Sequence, residues 1–298
     1  MKFHWAALAG VVLACGCIGY LRAAEGDDRG MLEAQITRMF QEQKYAEAVP
    51  VAQRLLILTE KSFGQDHLEV AKASTILGGL QVVQGRPDDA QPLYQRALAI
   101  REHALGNTDP LVANTLTSLA VISEAQGHYG EAKPLYERAV AINEAQFGDK
   151  DARVADAVNN LATFYQVQGR YGEAEPLLRR VLAIREVALG INDPQVAEVL
   201  NNLATVYYAQ ERYADAEPAA KRALSIREAA LGSAHPDVAL SLNNLGVMYM
   251  NLGRYAEAAP LLQRALAIRQ AALRPEDPAL AKTRTALAEL DRVWPPNR

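Results

Sequence analysis

A block of 42 residues recurs five times in this chain without a gap, over 65–106, 107–148, 149–190, 191–232 and 233–274. The block ends read RALAIREHALG, RAVAINEAQFG, RVLAIREVALG, RALSIREAALG and RALAIRQAALR. A fixed period of roughly 20–50 residues marks a solenoid or array. Each unit is too small to bury its own apolar face and has to stack on its neighbours. Length alone, 298 residues, would suggest about two globular domains. The period overrules that estimate.

Each block reads as two helices. The first opens at Asp109-Pro110, Asp193-Pro194, His235-Pro236 and, after the last block, Asp277-Pro278. Asp accepts free backbone N–H groups as an N-cap, and proline fits the first helical position because its missing N–H had no partner there. This helix runs to Gly85, Gly127, Gly169 or Gly253, where glycine suits a left-handed turn. The second helix carries Pro92, Pro134, Pro176, Pro218 or Pro260, expected near its start, where proline is tolerated. It ends at Gly106, Gly148, Gly190 and Gly232. Apolar residues follow helical spacing within the block. In the fourth these include Val196, Leu200, Leu203 and Tyr207, with Ala204, Ala216 and Ala223 small enough for close helix approach.

The flanks read as caps. Residues 25–64 keep Tyr45, Glu47, Ala48, Pro50 and Gly64 of the pattern but little of the first helix's signature, and 275–298 supply one more helix before WPPNR. About thirteen helices are expected. Residues 1–24 have Lys2, an uncharged apolar run from Trp5 to Leu21, then Ala23 and Ala24. That is the layout of a secretory signal peptide, with a run short for a membrane span of about 20 residues. Arg22 stands where a cleavage site wants a small residue. VLAC, ending at Cys15, resembles a bacterial lipobox and would lipidate Cys15; ACGC, ending at Cys17, fits that pattern less well; an uncleaved anchor is the third reading. All three predict export, to a bacterial periplasm or as a membrane-anchored lipoprotein.

Leu203-Ala204, Tyr207, Tyr213, Ala216, Ala223 and the boundary proline resemble the tetratricopeptide repeat (TPR). The spacing from NNLA through Y.EAEPL..RALAIRE..LG is similar to the kinesin light chain subclass of that family, over residues 65–274. The resemblance implies an all-α fold, tandem helix-turn-helix repeats stacked into a right-handed superhelical solenoid, with the first helix of each repeat lining a concave groove. By that register the first asparagine of each recurrent pair, Asn159, Asn201 and Asn243, faces the groove; the second, Asn160, Asn202 and Asn244, turns about 100° toward the partner helix. In related repeats such asparagines bond the backbone of an extended peptide, and an amide side chain offers both a donor and an acceptor. Gln166, Tyr208 and Met250 share this face, with Thr163, Thr205 and Val247, in a neutral and partly apolar wall. The alternative for each asparagine is structural, satisfying a backbone group between packed helices or standing solvated.

Other recurrent side chains read as architecture: Tyr129, Tyr171, Tyr213 and Tyr255 as core packing; Arg96, Arg138, Arg180, Arg222 and Arg264 as ion pairs or snorkelling stems; Glu131, Glu173 and Glu257 as first-turn partners of the helix dipole. His67, His103, His128 and His235 have no second ligand at metal spacing. Both cysteines lie in the leader, which leaves the repeats without a thiol for catalysis or disulfides. No phosphate-binding loop, HExxH or nucleophile–base pair appears. With half its residues hydrophobic, 22% charged and a net charge of −4, the chain can build a core and lacks the basic footprint of a nucleic-acid binder. The expected function is a non-enzymatic protein-interaction scaffold of the cell envelope. It would hold extended peptide segments of protein partners in the groove, with no cofactor, no metal and no nucleic acid, and reach the membrane only through the leader. The alternative is a structural subunit that oligomerises or braces a complex through its convex face.

Overall fold

A computed structural model describes residues 28–295. The leader, with the candidate lipidation site Cys15, and the last residues of the tail lie outside the described residues. The described chain is all-α, with thirteen helices and no strand. In order they are α1 (Asp28–Gln41), α2 (Tyr45–Phe63), α3 (Leu68–Val83), α4 (Pro87–Leu105), α5 (Pro110–Ala125), α6 (Tyr129–Phe147), α7 (Ala152–Val167), α8 (Tyr171–Leu189), α9 (Pro194–Ala209), α10 (Tyr213–Leu231), α11 (Pro236–Asn251), α12 (Tyr255–Ala272) and α13 (Pro278–Val293). They form two compact units, one ending at Phe164 and the other beginning at Tyr165.

In the first unit α1 to α6 each pack on the next helix in sequence, and in the second α8 to α13 do, the two helices of one repeat most closely. In the first unit Leu32, Ile36, Leu55, Ile76 and Leu80 form one core cluster and Val112, Leu116 and Ile142 another. In the second, Val196, Leu200 and Ile226 form one and Val238, Leu242 and Ile268 the next. These are tandem helix pairs, each using its neighbour to close its core.

The local signals are read out at the helix ends. Asp109, Asp193 and Asp277 accept from the backbone N–H two residues on, at 2.8 Å. His67 and His235 do the same work through Nδ1, 3.2 Å from the N–H groups of Glu69 and Asp237. Gly190 adopts φ 92°, ψ 154°, a region essentially reserved for glycine. Where the period calls for that glycine after the last block, the chain has Arg274, and α12 stops at Ala272 with Leu273 in ordinary extended geometry.

Two expectations are corrected. The recurrent prolines are not in the first turn: the second helices begin five residues earlier, at Pro87, Tyr129, Tyr171, Tyr213 and Tyr255, and the prolines sit inside them. The carbonyl each leaves unbonded belongs to an exposed residue, such as Gly130 for Pro134. The recurrent tyrosines are first residues of helices, not core: Tyr171, Tyr213 and Tyr255 are half-buried and Tyr129 is exposed.

Consecutive repeats are tied by two rows of arginines. Arg138 and Arg222 reach Glu102 and Glu186 of the previous second helix at 2.6 Å, and Arg96 and Arg264 reach Glu60 and Glu228 in the same way. These pairs are partly exposed and contribute at most about 1 kcal/mol each. The other row, absent from the sequence expectations, is buried: Arg101, Arg185, Arg227 and Arg269. Each guanidinium reaches forward to a backbone carbonyl in the first turn of the next repeat, that of Leu111, Gln195, Asp237 or Ala279, at 2.9–3.4 Å. The same guanidinium bonds a side chain one turn further on, Thr115, Glu198, Ser241 or Thr283. Its signal is the arginine of the repeated AIRE, which looks like surface charge until a second repeat is packed over it.

Glu217 on α10 joins α12 to the stack, accepting from Arg254 at 2.6 Å and the Tyr249 hydroxyl at 2.9 Å, with Lys221 of its own helix at 2.7 Å. The Arg254 guanidinium, then Lys221, hold its carboxyl down at about 2, against an ordinary 4.5. A depressed carboxyl stabilises the fold above its unfolded pKa and loses that contribution as pH falls from 4.5 toward 2. Glu217→Gln should therefore cost about 2 kcal/mol at pH 7. Denaturation curves of variant and parent should converge near pH 2; a gap unchanged with pH would contradict the ion cluster.

Candidate functional site

The candidate site lies in the second unit, and a missing side chain creates it. One position on the first helix is always small: Gly78, Ala120, Ala162, Ala204, Gly246. Sixteen residues on, the second helix presents Tyr94, Tyr136, Leu178, Ala220 and Leu262. At Gly246 an added Cβ would lie 2.8 Å from Leu262 Cγ, and at Gly78 2.7 Å from the Tyr94 ring, so these sites are filled. At the fourth repeat both partners are alanine, and the space stays open.

The result is a cleft of about 170 Å³ on α9, α10 and α11, floored by Ala204, Ala220 and Met248 and walled by Asn201, Thr205, Tyr208, Asn243, Asn244 and Val247. No charged side chain lines it. Of the residues expected to line a groove, it brings together Asn201, Thr205, Tyr208, Asn243 and Val247. Gln166 is outside the lining, its Nε2 donating to the Asn202 carbonyl at 3.4 Å, and Met250 is half-buried, with Met248 in the lining instead. Asn159 belongs to the first unit, where its Oδ1 is buried without a hydrogen-bond partner and its carbonyl accepts from Thr163 at 2.9 Å.

The asparagines differ from the expected division of labour. Asn201 is the buried member, and its Oδ1 accepts from Asn244 Nδ2 of the next repeat at 3.3 Å. Asn243 Oδ1 accepts from Thr283 at 3.0 Å and Arg269 at 3.4 Å. The amide oxygens of both first asparagines are thus engaged within the fold, while the second asparagine, Asn244, shares the cleft wall. Stacking decides this, because a neighbour about one repeat away supplies each partner. Tyr208 is held by the Asn251 amide, which donates to its hydroxyl, and by an edge contact with Tyr213 at 5.5 Å. What remains open to a ligand is amide donors, the hydroxyl oxygens of Thr205 and Tyr208 and an apolar floor. That set bonds a peptide unit and buries a neutral side chain.

Among the described residues no group of three or more His, Cys, Asp or Glu could hold a metal ion. No described helix is long and apolar enough to cross a membrane. In the first unit burial pushes the Glu124 carboxyl up, opposed by the Tyr136 hydroxyl that donates to it at 2.9 Å.

Family models for the tetratricopeptide repeat match residues 39–102, 77–145, 153–229 and 238–279. The chain belongs to the tetratricopeptide repeat family. Among solved structures, the TPR chain is 27% identical to BtubC (BKLC) from P. vanneervenii, with a TM-score of 0.63 over 83% of this chain and 94% of that one. It is 26% identical to a Podosopora anserina putative kinesin light chain with nearly identical TPR-like repeats, with a TM-score of 0.61 over 70% of this chain and 99% of that one. A tetratricopeptide repeat protein from Parabacteroides merdae, 15% identical with a TM-score of 0.61 over 90% and 87%, shares the fold. No curated protein matches. The TPR chain is of the kinesin light chain-like type, and its fold is that of a protein–protein interaction scaffold.

Proposed function

We propose that this TPR protein is a non-enzymatic scaffold of the bacterial cell envelope that holds an extended, uncharged segment of a protein partner in the α9–α11 cleft. The observation that carries the reading is the pairing of Ala204 with Ala220, which opens a neutral, amide-walled cleft at the fourth repeat. The apolar run from Trp5 to Leu21 supports export. Peptide amides would pair with Asn244 and the threonine and tyrosine hydroxyls, and one apolar side chain would sit on Ala220.

Ala220→Leu tests this without touching an asparagine. It restores the bulk that Leu178 and Leu262 provide elsewhere, so the fold should remain intact while the cleft fills. Binding of partners recovered by crosslinking in cells should weaken at least about tenfold, about 1.4 kcal/mol. Unchanged binding by a well-folded variant would remove the cleft from the function. The bracing alternative has its own observation: Val187 is 84% exposed, with Leu189 and Ile191 exposed beside it. A partner lost with Val187→Asp and retained with Ala220→Leu would favour that outer surface.

A further inference from the structure

The last helix has an open seat. In the fourth and fifth repeats the first helix buries one stripe against its second helix: Ala197 and Leu200 pack with Ala223 and Ile226, and Ala239 and Leu242 with Ala265 and Ile268. Gly246 lies on the same stripe, against Leu262 and the Ala258 carbonyl. Leu203 and Leu245 are buried, as are Tyr207 and Tyr249. At the matching positions of the period, α13 has Ala281, Arg284, Leu287, Ala288 and Asp291. Among the described residues no second helix follows it. Ala281, Arg284, Ala288 and Asp291 are exposed and Leu287 is half-buried. The opposite face of α13, with Leu280, Thr283, Ala286 and Leu290, is buried on α12 and α11.

The charges on the open stripe say what fits it. Arg284 and Asp291 stand where the two preceding repeats have leucine and tyrosine, and neither makes an ion pair among the described residues. Two turns apart on one helix, they are about 10 Å from each other and cannot pair within α13. Leu287 and Ala288 lie midway between them: Arg284 is three residues before the one and Asp291 three after the other. A second α13 laid antiparallel, about a two-fold axis between Leu287 and Ala288, brings Arg284 of each copy opposite Asp291 of the other. Leu287 then meets Ala288, and Ala281 meets Trp294. Such a contact is isologous and satisfies both charges twice. A parallel pairing sets Arg284 against Arg284 and is repelled.

Antiparallel is also the direction from which this stripe is covered elsewhere. Residues 210–212 alone join α9 to α10, and 252–254 alone join α11 to α12, connections short enough to force antiparallel neighbours. Ala281 and Ala288 keep the small side chains of Ala197 and Ala204, so a helix can still approach closely.

We propose that α13 pairs antiparallel with α13 of a second copy of this chain, each closing the last repeat of the other through two reciprocal Arg284–Asp291 ion pairs around a Leu287–Ala288 centre. A helix of 16 residues is about 24 Å long. A contact of that length buries less than the roughly 1,200 Å² of a standard interface, so the dimer is weak and reversible. It does not rest on a binding role for the α9–α11 cleft.

Sedimentation velocity of the full-length chain tests this. Between about 1 and 200 μM in low salt the parent should pass from monomer to dimer, with a midpoint in the tens of micromolar. Arg284→Glu and Asp291→Arg should each weaken association at least about tenfold, because each sets like charges opposite one another. The double variant exchanges the two charges and should dimerise like the parent. An equimolar mixture of the two single variants should also dimerise, since each supplies the charge that the other needs. Both positions are exposed, and circular dichroism melts verify that every variant folds. A parent that stays monomeric to about 200 μM would make α13 a solvated end and overturn the proposal. Equal association of all variants would overturn it in favour of another surface. Loss in the single variants without recovery in the double variant and the mixture would overturn the antiparallel pairing.

Discussion

Tyr94→Ala is expected to cost about 3–5 kcal/mol, the usual range for removing a fully buried aromatic side chain. The informative result is its coupling to Gly78. In the parent, Gly78→Ala brings a methyl to 2.7 Å from Tyr94 Cε2 and 2.9 Å from Cδ2, against a ring with no room to retreat. Overpacking there should cost about 1–3 kcal/mol. In the Tyr94→Ala background the obstacle is gone, and only helix propensity remains, which favours alanine over glycine by about 1 kcal/mol. The sign of Gly78→Ala should reverse, giving a coupling of about 2 kcal/mol or more in chemical denaturation. Additive effects would mean that the two residues do not share this contact. The same geometry explains Ala220: where the second helix has no bulk, the first need not give way, and a cleft is left.

Arg227→Ala, in the buried arginine row, should cost about 2–4 kcal/mol. It removes the stem's packing and two hydrogen bonds to the next repeat, to the Asp237 carbonyl at 3.2 Å and Ser241 Oγ at 2.9 Å. Burial already disfavours the charge, lowering the Arg227 pKa from its ordinary value against the opposing pull of Asp237 and Glu198. Arg227→Met keeps an apolar stem and removes the desolvated cation, and should cost about 1 kcal/mol or less. Thermal or urea unfolding of the two variants distinguishes them. Equal losses would show that the guanidinium's hydrogen bonds, and not its stem, hold the repeats together.

Much of the architecture was legible because its signals are local. Asp193 caps α9 through an N–H two residues away, and Gly190 ends α8 in a conformation other residues avoid. Such features recur with the period, so helix number and boundaries could be read block by block. The recurrent prolines misled because a proline tolerated near a helix start does not say how many residues precede it. The candidate site was only half legible. Asn201, Thr205, Tyr208, Asn243 and Val247 were placed on the groove face by their register, but Gln166 and Met250, at the same repeat position as Tyr208, line no part of the cleft.

By itself, then, the sequence determined the all-α class and the repeat, since these depend on a few neighbouring positions and on a period of 42. Only the tertiary structure decided what lies opposite. Asn201 meets Asn244, Arg269 meets Thr283, and Ala204 meets Ala220, across separations of 43, 14 and 16 residues. An identical local signal can therefore end in a filled core, a buried polar tie or an open cleft, because packing free energy depends on the volume and hydrogen-bonding capacity of the partner as much as on the residue itself.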